Sequence, residues 1–235
     1  MALFSISDLH LSLGIDKPMD IFGGVWENYI EKIEKNWRAL IKDDDVVVLP
    51  GDFCWAMHIK ESKEDFDFLN ALPGIKLLLK GNHDYWWDTV SKIKRFISEH
   101  EYTDIDFLHN NSFMYHDVAI CGTRFWLCPG TNSFSGDDEK IYLRELARAE
   151  LSLEDAMKNN PKKIIFFMHY PPVTSEHNID EKFLELMKKY SVSQVYYGHL
   201  HGSAKNTAFV GEYNGINFDL VSCDYLDFVP KKLIE

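Results

Sequence analysis

With 235 residues, 46% of them hydrophobic and 26% charged, the chain is long enough to bury a sizeable core and has ordinary globular composition. No apolar run approaches the ~20 residues needed to cross a bilayer, and Met1–Ile6 has no basic lead and meets Asp8 too early for a signal peptide. A balance of 25 basic against 37 acidic residues gives a net charge of −12, which disfavours nucleic acid and anionic membranes, although bound divalent cations would reverse that field locally.

Ala2–Ile6 reads as a first strand, followed at once by Asp8-Leu9-His10. Alternate residues of an extended segment face one way, so Asp8 and His10 are expected to converge. A polar loop would explain the pair equally well. Residues 15–25, with Pro18, Gly23 and Gly24, read as a surface loop. Trp26, Ile30, Ile33, Trp37 and Leu40 recur at helical spacing and predict a helix over 26–42. Its aromatics are expected in the core, with Trp26 placed where it can face a site. Val46–Leu49 is a second buried strand, after which Gly51 allows a tight turn that delivers Asp52. An acidic helix over 62–72 follows, with Ser62 as its expected N-cap.

Ile75–Leu79, interrupted only by Lys76, is a third strand and leads into Lys80-Gly81-Asn82-His83-Asp84. An amide, an imidazole and a carboxylate at the tip of a buried strand suit a metal site, with Asp84 orienting the neighbouring imidazole. A polar turn is the competing reading. Asp88 is expected to cap a helix running to Ser98.

Residues 105–108, 112–115 and 118–121 read as short strands pairing antiparallel. Arg124 and Trp126 come next, then a polar loop over 130–138 and an amphipathic helix over 139–158. Ile164–Phe167 is a buried strand ending at His169. A helix over 180–190 and a strand over 194–197 lead to Gly198-His199-Leu200-His201, whose two imidazoles share a face if the segment is extended. The tail reads as a hairpin, 208–213 with 216–222, about Asn214-Gly215. The scattered cysteines Cys54, Cys121, Cys128 and Cys223 read as reduced, buried thiols of a cytoplasmic protein.

Five apolar strands thus end in ligand-type residues, where α/β sheets place their ligands. Nitrogen and oxygen donors without thiolate fit Mn, Fe, Zn, Co or Ni. The set is too large for one ion, and two ions sharing a carboxylate suit an in-line displacement at phosphorus. Phosphoester hydrolysis is the natural reaction.

In order, Asp8-Leu9-His10, Gly51-Asp52, Gly81-Asn82-His83-Asp84, His169 and Gly198-His199-Leu200-His201 resemble the motifs of the calcineurin-like metallophosphoesterases, including bacterial-type predicted phosphohydrolases. The resemblance spans residues 4–201. It implies one domain over 1–235 with an α/β fold, a four-layer α-β-β-α sandwich of two mixed β-sheets flanked by helices. By position it implies that Asp8, His10 and His201 hold one metal and Asn82, His169 and His199 the other, with Asp52 bridging. His83 is then a general acid or transition-state stabiliser, with Asp84 behind it. Trp55, three residues after the bridging Asp, stands where many relatives carry a polar residue, so substrate identity does not transfer.

The implied reaction is hydrolysis of a phosphomono- or phosphodiester by a metal-activated hydroxide, with Mn, Fe or Zn as the expected ions. A metal-binding but non-catalytic interaction module on the same fold, and a nuclease, are the alternatives. The expected partner is a small phosphorylated substrate or a phosphoprotein, with neither nucleic acid nor membrane. Arg124 is a candidate for binding a phosphate oxygen, against the reading of an ion-paired arginine. Trp55, Tyr85, Trp86 and Trp87 form either a stacking wall or plain core. His58, His100, His109, His116 and His177 match no motif position and are expected to be structural or exposed.

Overall fold

The computed structural model describes residues 1–174 and 178–235, so His177 lies outside the described residues. Along the chain run β1 (Leu3–Ser5), α1 (Tyr29–Leu40), β2 (Val46–Pro50), α2 (Lys63–Asn70), β3 (Ile75–Leu79), α3 (Val90–Glu99) and β4 (Ile105–Phe107). There follow β5 (Ser112–Tyr115), β6 (Val118–Thr123), α4 (Gly136–Met157), β7 (Lys163–Met168), α5 (Glu181–Lys189), β8 (Gln194–Tyr197), β9 (Gly211–Tyr213), β10 (Ile216–Leu220) and β11 (Lys231–Ile234). Packing divides the chain into two compact units, residues 1–107 with 221–235, and residues 108–220.

The first unit holds a five-stranded sheet in the order β11-β1-β2-β3-β4. Four of its strands are parallel, and β11 adds an antiparallel edge. Val46, Val47 and Val48 are buried throughout, as expected of a parallel strand covered on both faces. Lys76 is buried in β3 and donates from Nζ to the Leu72 carbonyl at 2.8 Å. Its burial pushes the ammonium pKa down to about 8.

The second unit holds a six-stranded sheet in the order β5-β6-β7-β8-β10-β9, parallel in the centre with antiparallel pairs at both edges. Each unit has its own apolar cluster, built around Trp37, Phe66 and Trp86 in the first and Phe125, Phe166 and Phe183 in the second. The architecture is therefore α/β, with two mixed sheets and attendant helices.

Several expected boundaries shift, each for a local reason. β4 does not join β5 and β6 but extends the edge of β3 in parallel, which buries Ile105 and Phe107 in the first core. The capping box of Ser135 and Asp138 starts α4 at Gly136, inside the expected loop. Ser62 stands at the N-cap position of α2 as expected, but its side chain makes no cap bond and its hydroxyl donates to the Ile59 carbonyl at 2.8 Å. Thr89 rather than Asp88 is the residue preceding α3, and the Asp88 carboxylate accepts the Thr89 N–H at 2.7 Å. Two short 3₁₀ turns and a left-handed Asn28 (φ 52°) precede α1, so Trp26 lies ahead of the helix. The hairpin turns at Asn214 (φ 55°) and Gly215 (φ 83°) as expected, though its first strand begins only at Gly211. All four cysteines are buried and free. Among the described residues no helix is long and apolar enough to cross a membrane.

Candidate metal centre

In the first unit the ligand-type residues lie just past the ends of β1, β2 and β3. Beyond β1 and β2 the two chains remain side by side. Asp8 N donates to Gly51 O, His10 N to Asp52 O and Leu11 N to Phe53 O, each at 3.0 Å. The expected extended geometry of Asp8 and His10 is not what forms. Asp8 (φ 61°), His10 (φ 45°) and Asp52 (φ 53°) are all left-handed, with Gly51 (φ 91°) just before. Such backbone costs a non-glycine residue on the order of 1–3 kcal/mol and collects at functional sites. The strain turns three polar side chains toward one region: His10 Nε2 stands 3.8 Å from Asp52 Oδ2.

Asp8, His10 and Asp52 are 0%, 2% and 1% exposed. Asp8 Oδ2 accepts hydrogen bonds from the Ser7 hydroxyl and, at 3.1 Å, from the Ser222 hydroxyl. Asp52 Oδ1 accepts the His83 N–H at 2.8 Å. A nearby cation is one way to stabilise two carboxylates removed from water, and an oxygen and imidazole donor set without thiolate fits a divalent transition metal. The neighbouring Cys54 and Cys223 thiols are held up by burial, in their neutral form.

Asp84 has a different task from the one expected of it. Its Oδ2 accepts the N–H groups of Asp52 (2.9 Å) and Gly81 (2.6 Å), and its Oδ1 those of Phe53 (2.9 Å), Cys54 (3.4 Å) and the Trp86 indole (3.0 Å). These donors take up the lone pairs, so Asp84 braces the loop after β2 rather than the His83 ring. Burial raises its pKa to about 6 against the pull of those hydrogen bonds. Gly81 is required here, because a Cβ would collide with the Asp52 amide nitrogen and carboxylate. Asn82 is half-buried between this close approach and the amide bond of His83.

The half-buried His83 ring packs at 4.5 Å from the Trp55 ring, with the Tyr85 hydroxyl 3.5 Å from its Nδ1. Trp55 also stacks on His10, with centroids 4.7 Å apart and planes at 20°. Lys17 Nζ lies 3.6 Å from the Trp55 ring centroid. The indole thus contacts His10, His83 and the Lys17 ammonium together. Of the other aromatics, Trp86 and Trp87 are core, Tyr85 is exposed, and Trp26 meets the edge of His10 at 6.2 Å.

In the second unit His169 follows β7 and His199 follows β8. His169 N donates to Arg124 O at 3.1 Å, and Gly198 N donates to His169 O at 3.2 Å, which ties the two strand ends together. His199 is left-handed (φ 74°), so the segment to His201 is not the extended pair expected. His199 Nδ1 and His169 Nε2 are 3.3 Å apart. Two imidazole nitrogens at that separation cannot both carry protons; they share one proton or face a common cation. Tyr170 covers His199 with ring centroids 4.2 Å apart. His201 is half-buried and precedes the 3₁₀ turn Gly202–Thr207.

Arg124 is ion-paired on one side: its Nη2 is 3.6 Å from Oε1 of the buried Glu145, whose carboxylate also accepts from Arg148 at 2.8 Å and Thr123 at 2.6 Å. Its guanidinium lies over Trp126 at 4.6 Å, and its Nε is buried without a partner. Burial works against its charge and Glu145 supports it. His100 is structural, packed between Phe96 and Tyr102, while His58 and His116 are exposed and His109 half-buried.

Sequence reasoning missed Lys17, which lies in an unremarkable polar loop, and Ser222, which is 214 positions from its partner Asp8. Tyr170 was adjacent to a motif, but nothing local signalled that it covers His199.

A family model described as calcineurin-like phosphoesterase matches residues 1–203. No curated protein matches the chain by sequence. Among solved structures, a protein of unknown function from Aquifex aeolicus is similar at 17% identity and a TM-score of 0.52, over 98% of this chain and 95% of that one. A phosphopantetheinyl hydrolase from Mycobacterium tuberculosis is similar at 14% identity and a TM-score of 0.55, over 99% and 95%. A protein from Thermus thermophilus shows 12% identity and a TM-score of 0.57, over 99% and 97%. At such identities these structures speak for the fold, while the family model covers most of the sequence and every motif quoted above: the chain belongs to the calcineurin-like phosphoesterase family.

Proposed function

We propose that the chain is a dinuclear-metal phosphoesterase acting on a small phosphomono- or phosphodiester. The observation that carries this reading is the buried trio Asp8, His10 and Asp52 on left-handed backbone, since buried carboxylates beside an imidazole are poor packing and good metal ligands. Asp8, His10, Asp52 and Asn82 would supply donors from the first unit, and His169, His199 and His201 from the second. Bound divalent ions, with Mn, Fe or Zn suited to this donor set, would lower the pKa of water and offset phosphate charge.

His83, half-buried and held by its own amide to Asp52, is the group in this reading that gives a proton to the leaving alkoxide as the P–O bond breaks. Asp84 keeps the loop in place for it. Arg124, with one buried guanidinium nitrogen uncommitted, is the residue proposed to receive a phosphate oxygen. Four free, buried thiols favour a reducing compartment such as the cytoplasm. The net charge of −12 favours a small phosphorylated molecule over a nucleic acid.

The test is metal analysis followed by a screen of mono-, di- and pyrophosphate esters after reconstitution with Mn²⁺, Fe²⁺ or Zn²⁺. About two ions per chain and turnover of an aryl phosphate are expected. Metal-free protein after reconstitution sinks the reading. Loaded protein inert to the whole panel points instead to a binding module, and salt-resistant cleavage of DNA to a nuclease.

A further inference from the structure

Within the second unit a cavity of about 320 Å³ opens beside His199. Its volume is at the lower end of the range for small-molecule sites. Leu127, Cys128, Val173 and Leu200 supply apolar surface, Tyr170 an aromatic wall, Thr131, Thr174 and Thr207 hydroxyls, and Asn132 an amide. Among the described lining residues none is Asp, Glu, Lys or Arg. That neutrality stands out in a chain where 26% of residues are charged. Burial pushes the Cys128 thiol up, so this wall stays uncharged as well. Thr131 Oγ1 is buried and has no hydrogen-bond partner, which leaves one donor for an occupant.

An apolar cavity with a few polar points, sharing an imidazole wall with a set of ligand-type histidines, has the composition of a specificity pocket. We infer that it receives the uncharged organic group attached to the reacting phosphate, a compact apolar or aromatic moiety with an acceptor for Thr131. The inference rests on the phosphoesterase reading and adds the substrate's chemical class to it. A substrate with charge on its organic part would meet no Asp, Glu, Lys or Arg among the described lining residues, so nucleoside polyphosphates and phosphorylated acidic peptides are disfavoured.

The experiment measures binding rather than turnover, so that the two readings fail separately. Metal-reconstituted full-length protein is titrated calorimetrically with phenylphosphonate, methylphosphonate and carboxymethylphosphonate, none of which is hydrolysed. The phenyl ligand is expected to bind about tenfold or more tighter than the methyl ligand, from burial of its ring. The carboxymethyl ligand is expected to bind no tighter than methyl. Thr207 is exposed, so Thr207→Trp should fold and should bring the phenyl-to-methyl ratio to about one by filling the cavity. Leu127→Trp, from the segment after β6, is the second filling variant and should do the same. Equal affinity for phenyl and methyl in the wild type, or an unchanged ratio in both filled variants, overturns the pocket whatever the enzyme hydrolyses. Failure to hydrolyse any aryl phosphate, with the phenyl preference intact, overturns the phosphoesterase reading and leaves the pocket.

Discussion

In the first unit the ligand-type residues are held by backbone. Asp8, His10 and Asp52 sit on left-handed residues, and a carboxylate outside the proposed ligand set, Asp84, gathers five N–H groups beneath them. In the second unit His199 is left-handed too and main-chain bonds reach His169, but ring contacts are added, with each imidazole against the other and Tyr170 over His199. The hydrogen-bonded half has few alternative arrangements, because moving any one loop breaks several bonds. Rings in contact can rotate and re-pack at lower cost. The difference teaches that ligand geometry can be fixed by bonds to the main chain or by the shape of neighbouring side chains, and that the two respond differently to mutation.

The largest expected effect is on His83, where chemistry and positioning separate. His83→Ala should lower turnover of an alkyl phosphate by roughly 10²–10⁴-fold, with metal content retained, and by less for a leaving group of low pKa. If it loses metal as readily as Asp52→Ala, then His83 is a ligand and the assignment fails. Asp84→Asn comes next. It sets an amide N–H against N–H donors, and should cost about 2–4 kcal/mol in urea unfolding as well as activity. Little change in the unfolding midpoint would break the comparison at its firmest point.

Tyr170→Leu is the matching test in the second unit. It should weaken metal binding by about tenfold, the low end for a residue that orients a ligand. The unfolding midpoint should shift far less than for Asp84→Asn. The reverse ranking would show that the rings, not the amides, carry the rigidity.

The smallest effect concerns Asp65, another buried carboxyl of the first unit. Its Oδ1 accepts the Leu13 N–H at 2.8 Å, while Oδ2 is buried and unpartnered, and burial raises its pKa from 3.8 to about 6. The folded state therefore holds a proton that the unfolded state has already released, and stability falls as pH rises from about 4 to about 6. Asp65→Asn, neutral throughout, should gain on the order of 1–2 kcal/mol over wild type at pH 8 and nothing at pH 4. Chemical denaturation at the two pH values checks it, and an equal difference at both would rule out titration of Asp65 as the cause.

Much of this was legible in sequence because period and punctuation are local. The buried run 46–49, the turn at Gly51 and the Asn214-Gly215 hairpin each follow from a few adjacent residues. The ligand-type residues, too, stand directly after strands that the apolar runs marked out. What sequence did not reveal was conformation and long-range partnership. Alternation predicted that Asp8 and His10 converge by being extended, whereas the neighbouring loop turns them left-handed. Asp84 follows His83, and adjacency suggested that it serves the ring, yet its oxygens reach back to residues 52–54. β4 read as part of a hairpin because its neighbours are short strands, and only the free edge of β3 decided otherwise.

The anchoring of four main-chain amides and one indole by Asp84 bears on how this protein would lose activity under mutational drift. A chain that keeps every ligand-type residue but changes position 84 would still match the motif at its metal-binding positions. Its loop would lack the shape that presents Asp52. Amide hydrogen exchange would reveal it, because Phe53 and Cys54, though adjacent to a loop tip, should exchange as slowly as strand residues only while that carboxylate is present. Inactive relatives are thus to be sought at position 84 as much as among the ligands, and a silent amide rather than a missing histidine would be their mark.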